Sequence, residues 1–258
     1  MKKAPLASNP RRALLFSWAD AISQPEWEIY KRAIHALRDE QIPFLLAGGF
    51  ALATYTGRWR DTKDIDFYIH PDDRDRGAET LGKAGFEDYY PRLRYDRNWI
   101  YRSVRENIIV DIIWSMANQR AHVDGQWFER ASSVKIRGEE LQVIPVEELL
   151  WCKLYIMQRD HCDWTDCLNL LYARGTGIDW DHVFDRVEND VPLLRGLLSV
   201  YEWLCPESAG KFPAELWERL GLPDPESVPR QEQHDPVKLL DSRTWFGADI
   251  TRGEKLQV

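Results

Sequence analysis

The stretch Asp61-Thr62-Lys63-Asp64-Ile65-Asp66-Phe67-Tyr68-Ile69 decides the fold. Its second half reads as a buried strand, yet it carries two carboxylates one residue apart. A strand places residues i and i+2 on the same face, so Asp64 and Asp66 point together, with Ile65 and Phe67 on the other side. Two like charges that close repel, and burial raises the cost. Something else in the chain, or a ligand, must neutralise them.

A third carboxylate sits downstream. Asn107 to Trp114 (NIIVDIIW) is almost continuously apolar, the pattern of a strand covered on both faces, and Asp111 lies in its middle. A buried carboxylate is costly unless it is paired, protonated or metal-bound. If the two strands are sheet neighbours, the three acids converge. Mg²⁺ prefers carboxylate and phosphate oxygens, and two such ions about 4 Å apart clamp a phosphoryl or nucleotidyl transfer. The competing reading makes the Asp64/Asp66 pair a solvated strand edge and pairs Asp111 with a buried arginine.

Upstream, Phe44 to Gly49 (FLLAGG) reads as a short apolar strand running into a tight Gly48-Gly49 turn, followed by a helix over FALATYT. Glycine permits positive φ and close approach of a ligand to the backbone. Amide groups at a helix N-terminus bind phosphate. No Gly-Lys-Ser/Thr follows and GxGxxG is absent, so neither a Walker loop nor a dinucleotide fingerprint is present. Arg58, Arg60 and Lys63 precede the acidic strand and suit triphosphate oxygens, although a solvated loop would carry the same residues.

The order is Gly48-Gly49, fourteen residues, Asp64-Ile65-Asp66, then a later strand with Asp111. This resembles the nucleotidyltransferase superfamily that includes DNA polymerase β. The wording AGGFALATYTGRWRDTKDIDFYI is especially similar to bacterial stand-alone nucleotidyltransferases, among them antibiotic nucleotidyltransferases and the toxins of abortive-infection toxin–antitoxin pairs. The resemblance covers residues 44–114 well and 146–173 more weakly. In the toxin group, KxxA and DxxD motifs follow on helices. Here Lys153-Leu154-Tyr155-Ile156 keeps the lysine but not the small residue, and Asp163-Trp164-Thr165-Asp166 keeps DxxD. The intervening KxxLR motif is not recognisable.

The resemblance implies an α/β (α+β) fold: a small mixed β-sheet flanked by helices, followed by a helical domain. It implies Mg²⁺-dependent transfer of a nucleoside monophosphate from an NTP such as ATP to an acceptor hydroxyl on a small molecule, an RNA end or a protein, with release of pyrophosphate. Gly48 and Gly49 would hold the triphosphate by their backbone. Asp64 and Asp66 would bind two metal ions, and Asp111 the ion that activates the acceptor. Lys153, with Arg58 and Lys63, would serve the phosphates. Asp163 and Asp166, one helical face apart, would serve the acceptor or the nucleotide, or simply cap a helix. The likeness to the toxin group implies an antitoxin as a partner. The alternative is a catalytically degenerate nucleotide-binding or toxin–antitoxin module of the same fold.

The rest of the chain sets bounds. It has 258 residues and a net charge of −8, which argues against a general nucleic-acid coat protein but not against a local basic site. No segment has the apolar length of a membrane span, and the start lacks the apolar core of a signal peptide, so a cytoplasmic protein without membrane partners is expected. The four cysteines have no CxxC spacing and read as reduced thiols; a zinc site from Cys152, Cys162, Cys167 and His161 lacks a recognised spacing. Arg92, Arg94, Arg97, Arg102 and Arg105 alternate with Tyr95, Trp99 and Tyr101, which suits RNA contact or, more plainly, a strand with exposed arginines.

Residues 1–23 look irregular. Trp27, Tyr30, Ile34 and Leu37 recur at helical spacing in Gln24 to Glu40. Further elements are a helix from Asp72 to Ala84, a strand from Trp99 to Arg102, and a hairpin around Gly138. After Pro145 the texture is helical throughout, with Trp151, Trp164, Trp180, Trp203 and Trp217 as expected core and His161 as a partly exposed helical residue. The expected division is 1–145 catalytic, 146–221 helical, and 222–258 a loosely structured tail.

Overall fold

The computed structural model describes residues 18–60 and 62–227. The irregular start expected over residues 1–23 and the expected tail therefore fall largely outside the described residues, as does Asp61. What remains is a mixed sheet covered by helices, then a run of helices.

Helix α1 (Gln24–Asp39) opens on Ser23, whose hydroxyl accepts a hydrogen bond from the Glu26 amide, with Pro25 in the first turn. It buries Trp27, Tyr30, Ala33, Ile34 and Leu37 along one stripe, as the spacing predicts. The chain then forms β1 (Phe44–Leu46), α2 (Gly48–Thr56), β2 (Asp64–Ile69), α3 (Arg74–Lys83), β3 (Glu87–Asp88), β4 (Ile100–Arg105), β5 (Ile108–Ile113), α4 (Gly125–Glu129), β6 (Ser132–Ile136) and β7 (Glu139–Val143). The strands lie in the order β3-β4-β5-β2-β1-β7-β6. β2 pairs parallel with β5 and β1 parallel with β7; the other pairs are antiparallel.

Two hairpins fix register. Glu106 and Asn107 both have positive φ, as do Arg137 and Gly138. Two-residue turns of that kind match the twist of the flanking strands. The first sets Arg105 opposite Ile108 and therefore Arg102 opposite Asp111. The parallel pairing sets Asp66 opposite Asp111.

One sheet face, carrying Ile65, Phe67, Ile69, Val110 and Ile112, is buried and apolar. α3 lies close against it at Gly77, where a Cβ would meet Ile69 and Ile112 side chains at 3.2 and 3.1 Å. The opposite face carries Asp64, Asp66, Tyr68 and Asp111. There Tyr68 packs on Trp127 of α4, and its hydroxyl donates to Met116 Sδ at 3.5 Å.

Beyond β7 come α5 (Val146–Leu154), α6 (Trp164–Arg174), α7 (Trp180–Val187), α8 (Val191–Leu204), α9 (Pro206–Ala209) and α10 (Ala214–Leu220). Trp151, Trp180 and Trp217 are buried as expected, whereas Trp203 is 39% exposed. α5 stops at Leu154, earlier than its apolar pattern suggests. The following segment instead forms an isolated bridge between Met157 and Cys162. The fold is the mixed α/β sheet with a helical region that the sequence predicts. β3, α4 and α9, at two to five residues, are too short to leave a periodic signature.

Candidate active site

The centre is a row across three strands. Register places Asp66 of β2, Asp111 of β5 and Arg102 of β4 side by side, and Asp64 lies two residues from Asp66 on the same face. Carboxylate oxygens of Asp64, Asp66 and Asp111 lie within 4.8 Å of one another. Asp111 is fully buried; Asp64 and Asp66 are half-buried.

Arg102 is the arginine that the competing reading of Asp111 calls for, although the sequence alone does not single it out. Its Nε donates to Asp111 Oδ1 at 2.9 Å and Oδ2 at 3.1 Å, and its Nη2 to Asp111 Oδ2 at 2.5 Å and Asp64 Oδ2 at 3.3 Å. The signal was the two-residue turn at Glu106-Asn107, since counting back from it pairs Arg102 with Asp111. Thr62 was missed: its hydroxyl donates to Asp64 Oδ1 at 2.7 Å. Asp66 accepts no side-chain hydrogen bond among the described residues.

The electrostatics follow. Burial raises the proton affinity of Asp66 well above the ordinary carboxylate range, and the charges of Asp64 and Asp111 add to it; Lys153 and Arg102 pull the other way. Burial pushes Asp111 up to about 6 against the opposing pull of Arg102. The hydrogen bond to Asp111 holds the Arg102 guanidinium above its usual range.

The glycines are not a turn before a helix, as expected, but the first two residues of α2. Gly48 has φ +53°, and a Cβ there would sit 1.7 Å from Asp66 Oδ2. Both observations require glycine: the backbone is left-handed, and the carboxylate occupies the space a side chain would take. No side chain caps α2, so its first amides lie beside the carboxylate row without a side-chain acceptor.

The other expected residues form a second cluster. Lys153 Nζ donates to Asp163 Oδ2 at 2.7 Å and Asp166 Oδ2 at 2.8 Å, and all three are buried. Arg60 Nη2 reaches Asp166 Oδ2 at 3.0 Å, and His161 Nε2 lies 2.8 Å from Asp163 Oδ1. Burial pushes Lys153 down, but Asp166 and Asp163 outweigh it and hold the ammonium above its usual range. Lys153 is thus engaged by two carboxylates rather than extended freely toward phosphate, leaving one of its three N–H groups uncommitted. Asp163 stands at the start of α6 but makes no cap bond; its side chain serves the ion cluster instead. His161 lies in the loop before α6 and is not helical, because α5 ends early.

Arg58 turns toward α6, donating to Asn169 Oδ1 at 3.4 Å. Lys63 is exposed just ahead of β2. The arginine-rich segment is not one strand of exposed arginines. Arg92 and Arg94 lie exposed in the loop before β4, Arg92 pairing with Glu87 at 3.0 Å. Arg97 pairs with Asp88 and stacks over Tyr90, Arg102 enters the centre, and Arg105 donates to the Gly85 carbonyl at 3.0 Å. Among the described residues the zinc grouping does not form: Cys152 and Cys167 are buried, Cys162 is exposed, and Asp64, Asp66 and Asp111 are the only cluster with metal-ligand proximity. None of the described helices is long and apolar enough to cross a membrane.

The chain is similar to several solved structures and matches one family model. The antibiotic-resistance factor ANT(2'')-Ia shares 14% identity at a TM-score of 0.47, over 69% of this chain and 97% of that one. The lincosamide antibiotic adenylyltransferase LnuA shares 17% at 0.42, over 58% and 96%. The Megavirus polyadenylate synthase shares 14% at 0.40, over 75% and 42%. No curated relative matches the sequence. A family model described as "Uncharacterised nucleotidyltransferase" matches residues 24–198, which include the carboxylate row, α2 and the Lys153 cluster. The chain belongs to this nucleotidyltransferase family and is a transferase enzyme whose general chemistry is nucleotidyl transfer.

Proposed function

We propose that the carboxylate row is the catalytic centre of a Mg²⁺-dependent transfer of a nucleoside monophosphate from an NTP to an acceptor hydroxyl, with pyrophosphate released. The observation that carries this reading is the placement of Asp64, Asp66 and Asp111 within 4.8 Å of one another, under the uncapped start of α2. The oxygen-rich donor set fits a hard divalent cation, and such a cation would supply charge neutralisation for the phosphoryl oxygens and activation of the acceptor.

The chain's own residues divide the remaining work. Asp64 and Asp66 would hold the cation, with Thr62 fixing the rotamer of Asp64. Gly48 and Gly49 present backbone amides to the triphosphate, and the absence of a side chain at Gly48 lets Asp66 lie against them. Asp111 faces the acceptor hydroxyl and receives its proton. Arg58 and Lys63 lie on the segment entering β2 and bring positive charge to the phosphate side. Lys153 acts through its charge, favouring the ionised form of Asp66, while Asp163 and Asp166 hold it in place. The catalytic unit is residues 1–145, and residues 146–221 back it.

The test is transfer of label from a panel of α-labelled NTPs, with Mg²⁺, into host lysate separated into RNA, protein and small molecules. Protein carrying Asp64→Asn and Asp66→Asn is the control. Label in one fraction, lost in the control, names the acceptor class and supports the centre. Equal labelling by the control rejects it.

A further inference from the structure

The three carboxylates are not equally available. Asp111 receives three of the guanidinium contacts, at 2.5–3.1 Å, involving both of its oxygens. Asp64 is partly engaged, by Thr62 on Oδ1 and by Arg102 Nη2 on Oδ2. Asp66 accepts no side-chain hydrogen bond among the described residues. The engagement thus declines from Asp111 on β5 to Asp64 and then Asp66 on β2. It is built into the sheet, because the Glu106-Asn107 turn fixes Arg102 opposite Asp111. The backbone of Arg102 is pinned as well: its amide donates to the Tyr95 hydroxyl at 2.9 Å, and its carbonyl accepts from the Tyr89 amide at 3.0 Å. A bidentate arginine is a pre-organised cation that cannot deprotonate.

We infer that the centre takes one divalent ion, on Asp64 and Asp66, and that the Arg102 guanidinium is the fixed cation on the Asp111 side, in place of the second ion that three carboxylates by themselves suggest. This rests on the reading of the row as the nucleotidyl-transfer centre. Arg102 is then a positioning residue. It holds Asp111 in one rotamer facing the acceptor, and it keeps a second ion from using both Asp111 oxygens.

Ion counting tests this without recourse to turnover. Mn²⁺ is titrated into the full chain with each of the four NTPs in α,β-non-hydrolysable form, and bound ion is followed by electron paramagnetic resonance. Two ions about 4 Å apart give an exchange-coupled signal, and a single ion an isolated six-line spectrum. Wild type is expected to bind one Mn²⁺ per chain without coupling. Arg102→Met should bind two and show coupling; Arg102→Lys, which keeps the charge, should stay at one. Two coupled ions in wild type overturn the inference, as does a single ion in a folded Arg102→Met protein. If Arg102→Met does not fold, the wild-type count and Arg102→Lys decide. Two ions with label transfer intact reject this inference alone; no bound ion and no transfer with any NTP reject the functional reading as well.

Discussion

Two of the groups of buried charge among the described residues are balanced in opposite ways. Between α5 and α6, two carboxylates meet Lys153, with Arg60 and His161 at the edge. Across β2, β5 and β4, three carboxylates meet one guanidinium, and Asp66 is left with no side-chain donor among the described residues. In the first cluster both carboxylates have a cationic partner and Lys153 is held between them. The second is short of positive charge, and burial raises the proton affinity of two of its members. Buried carboxylates left in that condition cost stability, and a ligand that brings cations removes the cost. Both groups are built from aspartates and one long cation, and they differ in how far that cation balances them.

The largest expected effect on stability lies at the balanced cluster. Lys153→Met removes the shared ammonium and leaves Asp163 and Asp166 only His161 and Arg60 at the edge, and should cost about 3–5 kcal/mol in urea unfolding. A cost under about 1 kcal/mol would dissolve the contrast. Next is Gly48→Ala. The left-handed backbone strains any side chain, and the methyl would displace the Asp66 carboxylate. A loss of about 1–3 kcal/mol is expected, together with weaker Mn²⁺ binding. Retained Mn²⁺ affinity would show that Asp66 need not lie against α2.

The unbalanced centre also predicts a pH dependence. Asp111 and Asp66 bind protons more tightly in the folded protein than in the unfolded chain. Their contribution to stability therefore falls as pH rises from the ordinary carboxylate range through about 6 for Asp111. Mg²⁺ should reverse that loss, so its effect on melting temperature should be larger at about pH 8 than at about pH 5. An equal effect at both would count against ionised, metal-seeking carboxylates. The smallest effect belongs to the exposed loop before β4. Arg97→Ala removes a surface ion pair and a stacking contact with Tyr90, and should cost less than about 1 kcal/mol.

Much of this was legible in the sequence. The alternation in Asp64–Ile69 and the apolar run around Asp111 announce two buried strands with acids on one face, and the parallel pairing of β2 with β5 brings them together. The spacing of the glycines places α2 beside them. Arg102 was harder to see because it is one of five arginines in fourteen residues, and only the hairpin register singles it out. The pairing of Lys153 with Asp163 and Asp166 is also opaque to spacing, because it depends on α5 ending early and on the loop that returns the chain to α6. Local periodicity reports faces of elements; it does not report which cation crosses to which acid.

The most direct measurement is a paired one on Asp66→Asn in metal-free and Mg²⁺-containing buffer at about pH 8. The variant removes one of three crowded charges while keeping the side chain's shape. It should melt higher than wild type without metal, gain nothing from Mg²⁺, and lose transfer by at least about 10²-fold, beyond what losing a mere supporting contact to a metal ligand costs. A variant that melts lower without metal, or that still transfers at a rate close to wild type, would contradict the claim that this row is unbalanced because it is catalytic.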